Sequence, residues 1–223
     1  EYLKLLEPLG INSSDTRKHL QFSESGLNSV QSFFKNNNID PSQELVVGIS
    51  PSSGNKIKNW GSDKFAALAD YLSSRYSARI IVTGGDNDIN EIRTMTSFVK
   101  PSTRIVNALG IFNMDELKAL IASLHLFIAV DSGPIYIAEA FGTPTVDIIG
   151  PVAENEQPPV GRHHVVVKWE QRKSAAIHIL NARIYDVAAA RQQVDMITVE
   201  KVQKALDSLI MVLGEDGKIP KNY

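Results

Sequence analysis

No cysteine occurs in the 223 residues. That absence removes disulfide frameworks, thiolate nucleophiles and Cys-ligated zinc or iron–sulfur centres together. It fits a reducing compartment without requiring one. Positive charge is not in surplus either: 23 Lys and Arg stand against 25 Asp and Glu, a formal net charge of −2. A basic face able to cover a duplex is therefore not expected, nor is a nucleic-acid partner. No apolar run approaches the roughly 20 residues of a membrane span, and no secretory signal is read at the start. There is no GxGxxG, which counts against a dinucleotide-dependent oxidoreductase. His19, His125 and His178 lack metal-ligand spacing. What is present, 43% hydrophobic and 22% charged residues, is the composition of a globular protein with one sizeable core. The chain opens at Glu1-Tyr2-Leu3 without a Met, so it reads as a cut or cleaved end with part of the protein missing.

Its organisation is an alternation. Residues 1–44 read as a leader, with an apolar patch at Tyr2–Leu9, helical spacing over Gly26–Lys35 and the polar tract Asn36-Asn37-Asn38. Strands are predicted at Leu45–Ile49, Arg79–Val82, Ile105-Val106, Leu126–Val130, Thr145–Ile149 and His164–Val167. Between them lie helical patterns at Asp63–Arg75, with apolar residues at 65, 68, 69 and 72, at Asp88–Val99, and at Ile135–Phe141. Asn113 reads as an N-cap with Glu116 completing a capping box for a helix to Leu124. Such alternation implies an α/β fold: a doubly wound parallel sheet with ligand sites at the strand carboxyl ends. The segment 45–168 is the sheet domain, and 169–223 a helical extension. Within that extension, Ala-rich Ser174–Val194 reads as helical, and Thr198–Leu213 as an amphipathic helix with Val199, Val202, Leu206, Leu209 and Leu213 on one face.

Three strand ends carry chemistry. Asp131-Ser132-Gly133-Pro134 joins an apolar strand to a helix, where free helix-start amides favour an anion. Asp131 beside them suits hydroxyls, so the turn looks built for a sugar joined to a phosphate. Ser50-Pro51-Ser52-Ser53-Gly54 followed by Lys56 and Lys58 offers small residues and a cation to a phosphate. A plain polar turn remains the alternative. A P-loop is excluded, because Gly48 and Gly54 are one residue too far apart and no Ser or Thr follows Lys56. At Gly84-Gly85-Asp86-Asn87-Asp88, the acids are either helix caps or acceptors for ribose hydroxyls. A divalent ion held by the Asp-x-Asp pair is the weaker alternative. His163-His164 and Arg172-Lys173, with Arg183, read as surface groups, and Trp60 as packing for a helix start with base stacking as its rival.

Taken in order and spacing, these pieces resemble the bacterial heptosyltransferases, the family 9 glycosyltransferases of lipopolysaccharide core assembly. The matching residues are Ser50-Pro51-Ser52-Ser53 leading to Lys58-Asn59-Trp60, then Gly84-Gly85-x-x-Asp88 and Leu117–Ile121. Asp131-Ser132-Gly133-Pro134-x-Tyr136-x-Ala138-x-Ala140-x-Gly142-Thr143-Pro144 and Gly150-Pro151 complete the set, which covers roughly residues 45–160. Tyr2–Ile11 looks like the family's interdomain segment and Ile197–Leu209 like its terminal helix.

The resemblance implies a GT-B enzyme of two facing Rossmann-like domains. This chain would be the carboxyl-terminal, donor-binding domain, with the acceptor-binding domain absent. Ser52, Ser53 and Lys58 should hold a diphosphate, Asp88 face the ribose and Phe112 line the adenine pocket. Ser132 and Gly133 should complete the phosphate cradle, and Asp131 should bind sugar hydroxyls, with Tyr136 standing where the family usually has His. The implied reaction is inverting transfer from ADP-heptose onto lipopolysaccharide core, with no cofactor or metal and a general base in the missing half. This stretch alone would then bind without transferring. The alternatives are a non-catalytic nucleotide-sugar-binding module and a member using another donor sugar. A cytoplasmic location is implied, with peripheral association at the inner face of the bacterial inner membrane a further expectation for the full-length protein. Gly61 in place of a common Pro is a second departure.

Overall fold

The computed structural model describes residues 2–15, 17–153, 159–172, 174–177 and 185–221. Glu1, Lys173, His178 and Arg183 lie outside the described residues. Six strands form one sheet: β1 (Val46–Ser50), β2 (Arg79–Val82), β3 (Ile105–Asn107), β4 (Leu126–Val130), β5 (Thr145–Ile148) and β6 (His164–Val167). Their spatial order is β3-β2-β1-β4-β5-β6, and every neighbouring pair is parallel. The central strands β1 and β4 are buried throughout, as continuous apolar runs covered on both faces must be.

Strand alternation feeds two cores. Val47, Ile49, Ile128, Val130, Val146 and Ile148 face one side, while Val46, Ile81, Phe127 and Ala129 face the other. The first face is covered by α2 (Ser62–Tyr76), α3 (Ile89–Phe98), α6 (Val187–Asp195) and α7 (Val199–Glu215). The predicted stripe Phe65, Leu68, Ala69 and Leu72 is wholly buried there. The second face is covered by α1 (Glu24–Asn36), α4 (Met114–Ala122) and α5 (Gly133–Phe141). Asn113 and Glu116 form the expected capping box on α4. Ser23 caps α1, whose Val30, Phe33 and Phe34 join this core, so the second part of the leader packs as one body with the sheet.

Several expectations need correction. Helix α5 starts at Gly133 rather than Ile135, because extended Ser132 and the preset φ of Pro134 favour an earlier first turn. Ser174–Ile177 is not helical, and Ile177 bridges Val152 instead. Helix begins only at Val187, capped by Asp186, while 178–184 lie outside the described residues. The terminal helix α7 turns its predicted apolar face inward, burying Val202, Leu206, Leu209, Ile210 and Leu213. In the leader, Leu5 is 72% and Leu9 73% exposed, and on α7 Met211 is 61% exposed. Trp60 is fully buried, donates from Nε1 to the Ile197 carbonyl at 2.8 Å and meets Phe65 edge-on, so it packs rather than stacks on a base. Gly61 has φ +123°, a value closed to proline, which makes the departure at this position a change of backbone path. No helix among the described residues is long and apolar enough to cross a membrane.

Candidate functional site

Strand order reverses between β1 and β4, and the loops leaving their carboxyl ends frame a crevice there, where doubly wound sheets bind ligands. A cavity of 340 Å³ occupies it. Its polar wall is Ser52, Ser53 and Gly54 after β1, Gly84, Gly85 and Asp88 after β2, and Ser132 and Gly133 after β4. Its apolar lining includes Ala108, Phe112, Met114 and Leu117. Six predicted residues therefore line one space: Ser52, Ser53, Asp88, Phe112, Ser132 and Gly133. A Cβ added to Gly54, Gly85 or Gly133 meets nothing within 4 Å, so these turns border open space.

Local hydrogen bonds shape the first loop. Ser53 N–H donates to Asn59 Oδ1 at 3.0 Å and Ser53 Oγ–H to the Asn55 carbonyl at 2.7 Å. They fold the chain into a short 3-10 turn, Lys56–Lys58, that Asn55 caps. The two lysines leave this turn in different directions. Lys56 Nζ donates to Ser52 Oγ at 2.6 Å and Asp88 Oδ1 at 2.9 Å, and lies 3.3 Å from Glu91. Burial opposes the charge on Lys56, but Asp88 and Glu91 outweigh it and raise the pKa. Asp88 mirrors this: burial pushes its carboxyl up, while hydrogen bonds from Lys56, Ser52 and Gly85 bring it below the ordinary value. Its Oδ2 accepts from Gly85 N–H at 3.0 Å, so Asp88 closes its own turn and also faces the cavity. Cap and wall are the same residue.

Lys58, Asp131 and Tyr136 form a second group beside the cavity rather than lining it. Lys58 Nζ donates to the Asp131 carbonyl at 2.6 Å and to Asp131 Oδ2 at 2.9 Å, with the side chains only 18% and 17% exposed. Tyr136 donates its hydroxyl to Asp131 Oδ1 at 3.1 Å. Burial and the charge of Asp131 push the Tyr136 pKa up, so the phenol stays a neutral donor. Ser132 is the N-cap residue of α5 but makes no side-chain cap, and its buried Oγ has no hydrogen-bond partner. A hydroxyl in that state beside first-turn amides is an unfilled donor for an anion.

Sequence reasoning missed Asp147. It sits inside β5, fully buried, with neither carboxyl oxygen hydrogen-bonded. Burial and then Asp131 push its pKa well up, against a smaller pull from Lys58. A lone acid within Thr145–Ile149 was the available signal. Arg172 needs correction too, since its guanidinium donates to the Gly150 and Val152 carbonyls at 2.5 and 2.9 Å instead of pointing into solvent. His163 pairs with Asp216 at 2.6 Å, at the C-terminal end of α7. His164 Nδ1 meets Thr145 Oγ1 at 2.9 Å, and His125 Nδ1 accepts from Val46 N–H at 3.0 Å.

A parallel sheet in this strand order, with a cavity at its switch point, defines a doubly wound Rossmann-like domain. The chain belongs to glycosyltransferase family 9 (heptosyltransferase), whose sequence model matches residues 1–183. Lipopolysaccharide heptosyltransferase 3 of Escherichia coli is 30% identical over 152 residues, 66% of this chain and 43% of that protein. The chain thus spans less than half the length of that relative. Among solved structures, the family 9 glycosyl transferase of Veillonella parvula matches with TM-score 0.76 and 22% identity, over 94% of this chain and 59% of the other. E. coli heptosyltransferase WaaC with ADP-2-deoxy-2-fluoro heptose matches with TM-score 0.59 and 12% identity, over 91% and 52%. The fold accordingly matches about half of each of these two structures.

Proposed function

We propose that this chain is the donor-binding half of an inverting glycosyltransferase that uses ADP-heptose and serves lipopolysaccharide core assembly. One observation carries the reading. The switch-point cavity gathers apolar residues that suit a base, an acid that suits ribose, and small residues at a helix start that suit a diphosphate. Its 340 Å³ lies within the range of small-molecule sites, roughly 300–1,000 Å³. The WaaC structure, with its ADP-2-deoxy-2-fluoro heptose, supports the choice of base and sugar.

In this reading Phe112 packs on adenine and Asp88 accepts from the ribose hydroxyls. Ser52, Ser53, Ser132 and the Gly133 amide hold phosphate oxygens. Lys58 moves from Asp131 to the diphosphate, where it stabilises the charge that develops on the leaving group. Asp131, released from Lys58 and still held by Tyr136, accepts hydroxyls of the sugar. Deprotonating the acceptor requires a base on the opposite face of the sugar, which the partner half of a GT-B enzyme would supply, along with the contacts to lipopolysaccharide core and to the membrane surface where that core is built. The isolated chain should therefore bind donor and not transfer it.

Calorimetric titration with ADP, UDP, GDP and their sugars tests the proposal. The expected result is tightest binding for ADP and ADP-sugars. Absence of binding by every nucleoside diphosphate overturns the reading, and preference for UDP or GDP overturns the choice of donor.

A further inference from the structure

Among the described residues, Asp147 is the only side chain whose two carboxyl oxygens are both buried and unpartnered. It lies opposite Ala129 in the β4–β5 register, two residues before Asp131 on the neighbouring strand. Val146 and Ile148 turn to the first core, so alternation directs Asp147 to the face that α5 covers. The charged and titratable groups on that face come from several elements. They are Lys58 from the 3-10 turn, Asp131 from the end of β4, Tyr136 and Glu139 from α5, His164 from β6 and Lys18 from the leader. Lys18 lies 2.6 Å from Glu139, and His164 bonds Thr145. Lys58 already bonds Asp131 and is the cation that acts on Asp147.

An unpartnered buried carboxyl either keeps its proton or draws a cation inward. Those two states place Lys58 differently. With Asp147 neutral, the ammonium answers to a single carboxylate and can exchange it for an anionic ligand. With Asp147 ionised, a second negative charge adds its attraction to that of Asp131 and opposes departure of the ammonium. We propose that Asp147 is a positioning residue for Lys58: its proton frees the ammonium to reach an anionic ligand, and loss of that proton holds the ammonium back. The effect on nucleotide binding rests on the reading of Lys58 given above, whereas the effect on Lys58 itself does not.

Two measurements on the 223-residue chain separate these parts. The first follows the assigned Lys58 side-chain amine resonance by NMR, without ligand, from acid to alkaline pH, since burial raises the Asp147 carboxyl well above its ordinary value. One titration step is expected in the wild-type protein and none in Asp147→Asn. The same step in both proteins, or no step in the wild type, overturns the proposal. Asp147→Val, shape-compatible with a strand interior, is the second neutral variant should the amide not fold.

The second measurement is ADP affinity by calorimetry at the two ends of that range. The nucleotide's terminal phosphate titrates as well, so the readout is the difference between proteins. Wild type should lose roughly tenfold more affinity than Asp147→Asn on going to high pH, the effect of one added charge in a half-buried site. Equal losses overturn the link to binding. If neither protein binds ADP at any pH, the diphosphate role of Lys58 falls, and the NMR result alone decides the positioning role.

Discussion

Lys56 and Lys58 stand at the two ends of one three-residue turn, yet their surroundings differ in kind. Lys56 is 43% exposed and shared between Asp88 and Glu91, with Ser52 as a further acceptor. Water can replace any of those partners, and an exposed pair of this sort contributes little to stability. Lys58 is 18% exposed and held by a single residue through two oxygens, with a buried acid behind it. Few waters can substitute there, so charge must be met by protein or by ligand. The Asp88 side of the crevice is complete as it stands. The sugar side is balanced around one cation that a diphosphate would claim. Both lysines come from the same loop, and burial separates their roles.

The largest effect expected from this contrast is on Lys58. Lys58→Ala should weaken ADP binding by about 1.5–3 kcal/mol, the range for a charge-assisted contact. It also leaves Asp131 uncompensated near the phosphates, which adds repulsion to the lost attraction. Calorimetry on wild type and variant measures it, and unchanged affinity removes Lys58 from the site.

Asp147→Asn should change how stability depends on pH. The folded value of Asp147 is raised above the ordinary value of about 3.9. The folded protein therefore binds this proton more tightly than the unfolded chain does. The resulting stabilisation is full below about pH 3.9 and is lost as pH rises from there to the folded value. Asp88 and Asp216, whose values are lowered, act in the opposite sense but are common to both proteins. Melting temperatures measured across pH should show wild type falling relative to the variant as pH rises. A constant offset between the two curves would show that Asp147 does not titrate in the folded state.

Lys56→Ala sharpens the comparison from the other side. An exposed cation shared between two acids is worth about 0.2–1 kcal/mol, so ADP affinity and melting temperature should each shift only slightly. A loss as large as that for Lys58→Ala would reverse the assignment and make Lys56 the counter-charge of the phosphates.

Much of this arrangement is legible in the sequence itself. The strand and helix segments announce themselves through period, as in Phe65, Leu68, Ala69 and Leu72 along α2 or the unbroken apolar run of β4. The capping box at Asn113 and Glu116 is local chemistry, and local chemistry reads directly from sequence. Six of the nine proposed binding residues line one cavity because strand-end loops in such a sheet converge by topology. What sequence did not yield depends on long-range contact. The pairing of His163 with Asp216 joins residues 53 apart, and Lys56 with Asp88 spans 32. Asp147 passed as a strand residue because nothing in its neighbours announces a buried acid. Ser174–Ile177 departs from the helical expectation for a related reason. Helix propensity is a weak prior, and bridging of Ile177 to Val152 overrides it.

The smallest expected effect is that of chelation. Asp86 and Asp88 stand two apart after β2, a spacing that can hold a divalent ion, and such an ion would bring phosphate to the same wall of the cavity. Asp88, however, already accepts from Lys56 and from Gly85 N–H, one bond on each carboxyl oxygen. A metal would have to displace Lys56, which Asp88 and Glu91 hold as a charged partner. Among the described residues, no three His, Cys, Asp or Glu side chains converge as a metal site. Lys58 and the first-turn amides of α5 offer the diphosphate its neutralisation instead. EDTA should therefore leave ADP affinity within error of its untreated value. A large loss on chelation, restored by Mn²⁺ and abolished in Asp86→Asn, would place an ion between Asp86 and Asp88 and give that side of the crevice the dominant role proposed for Lys58.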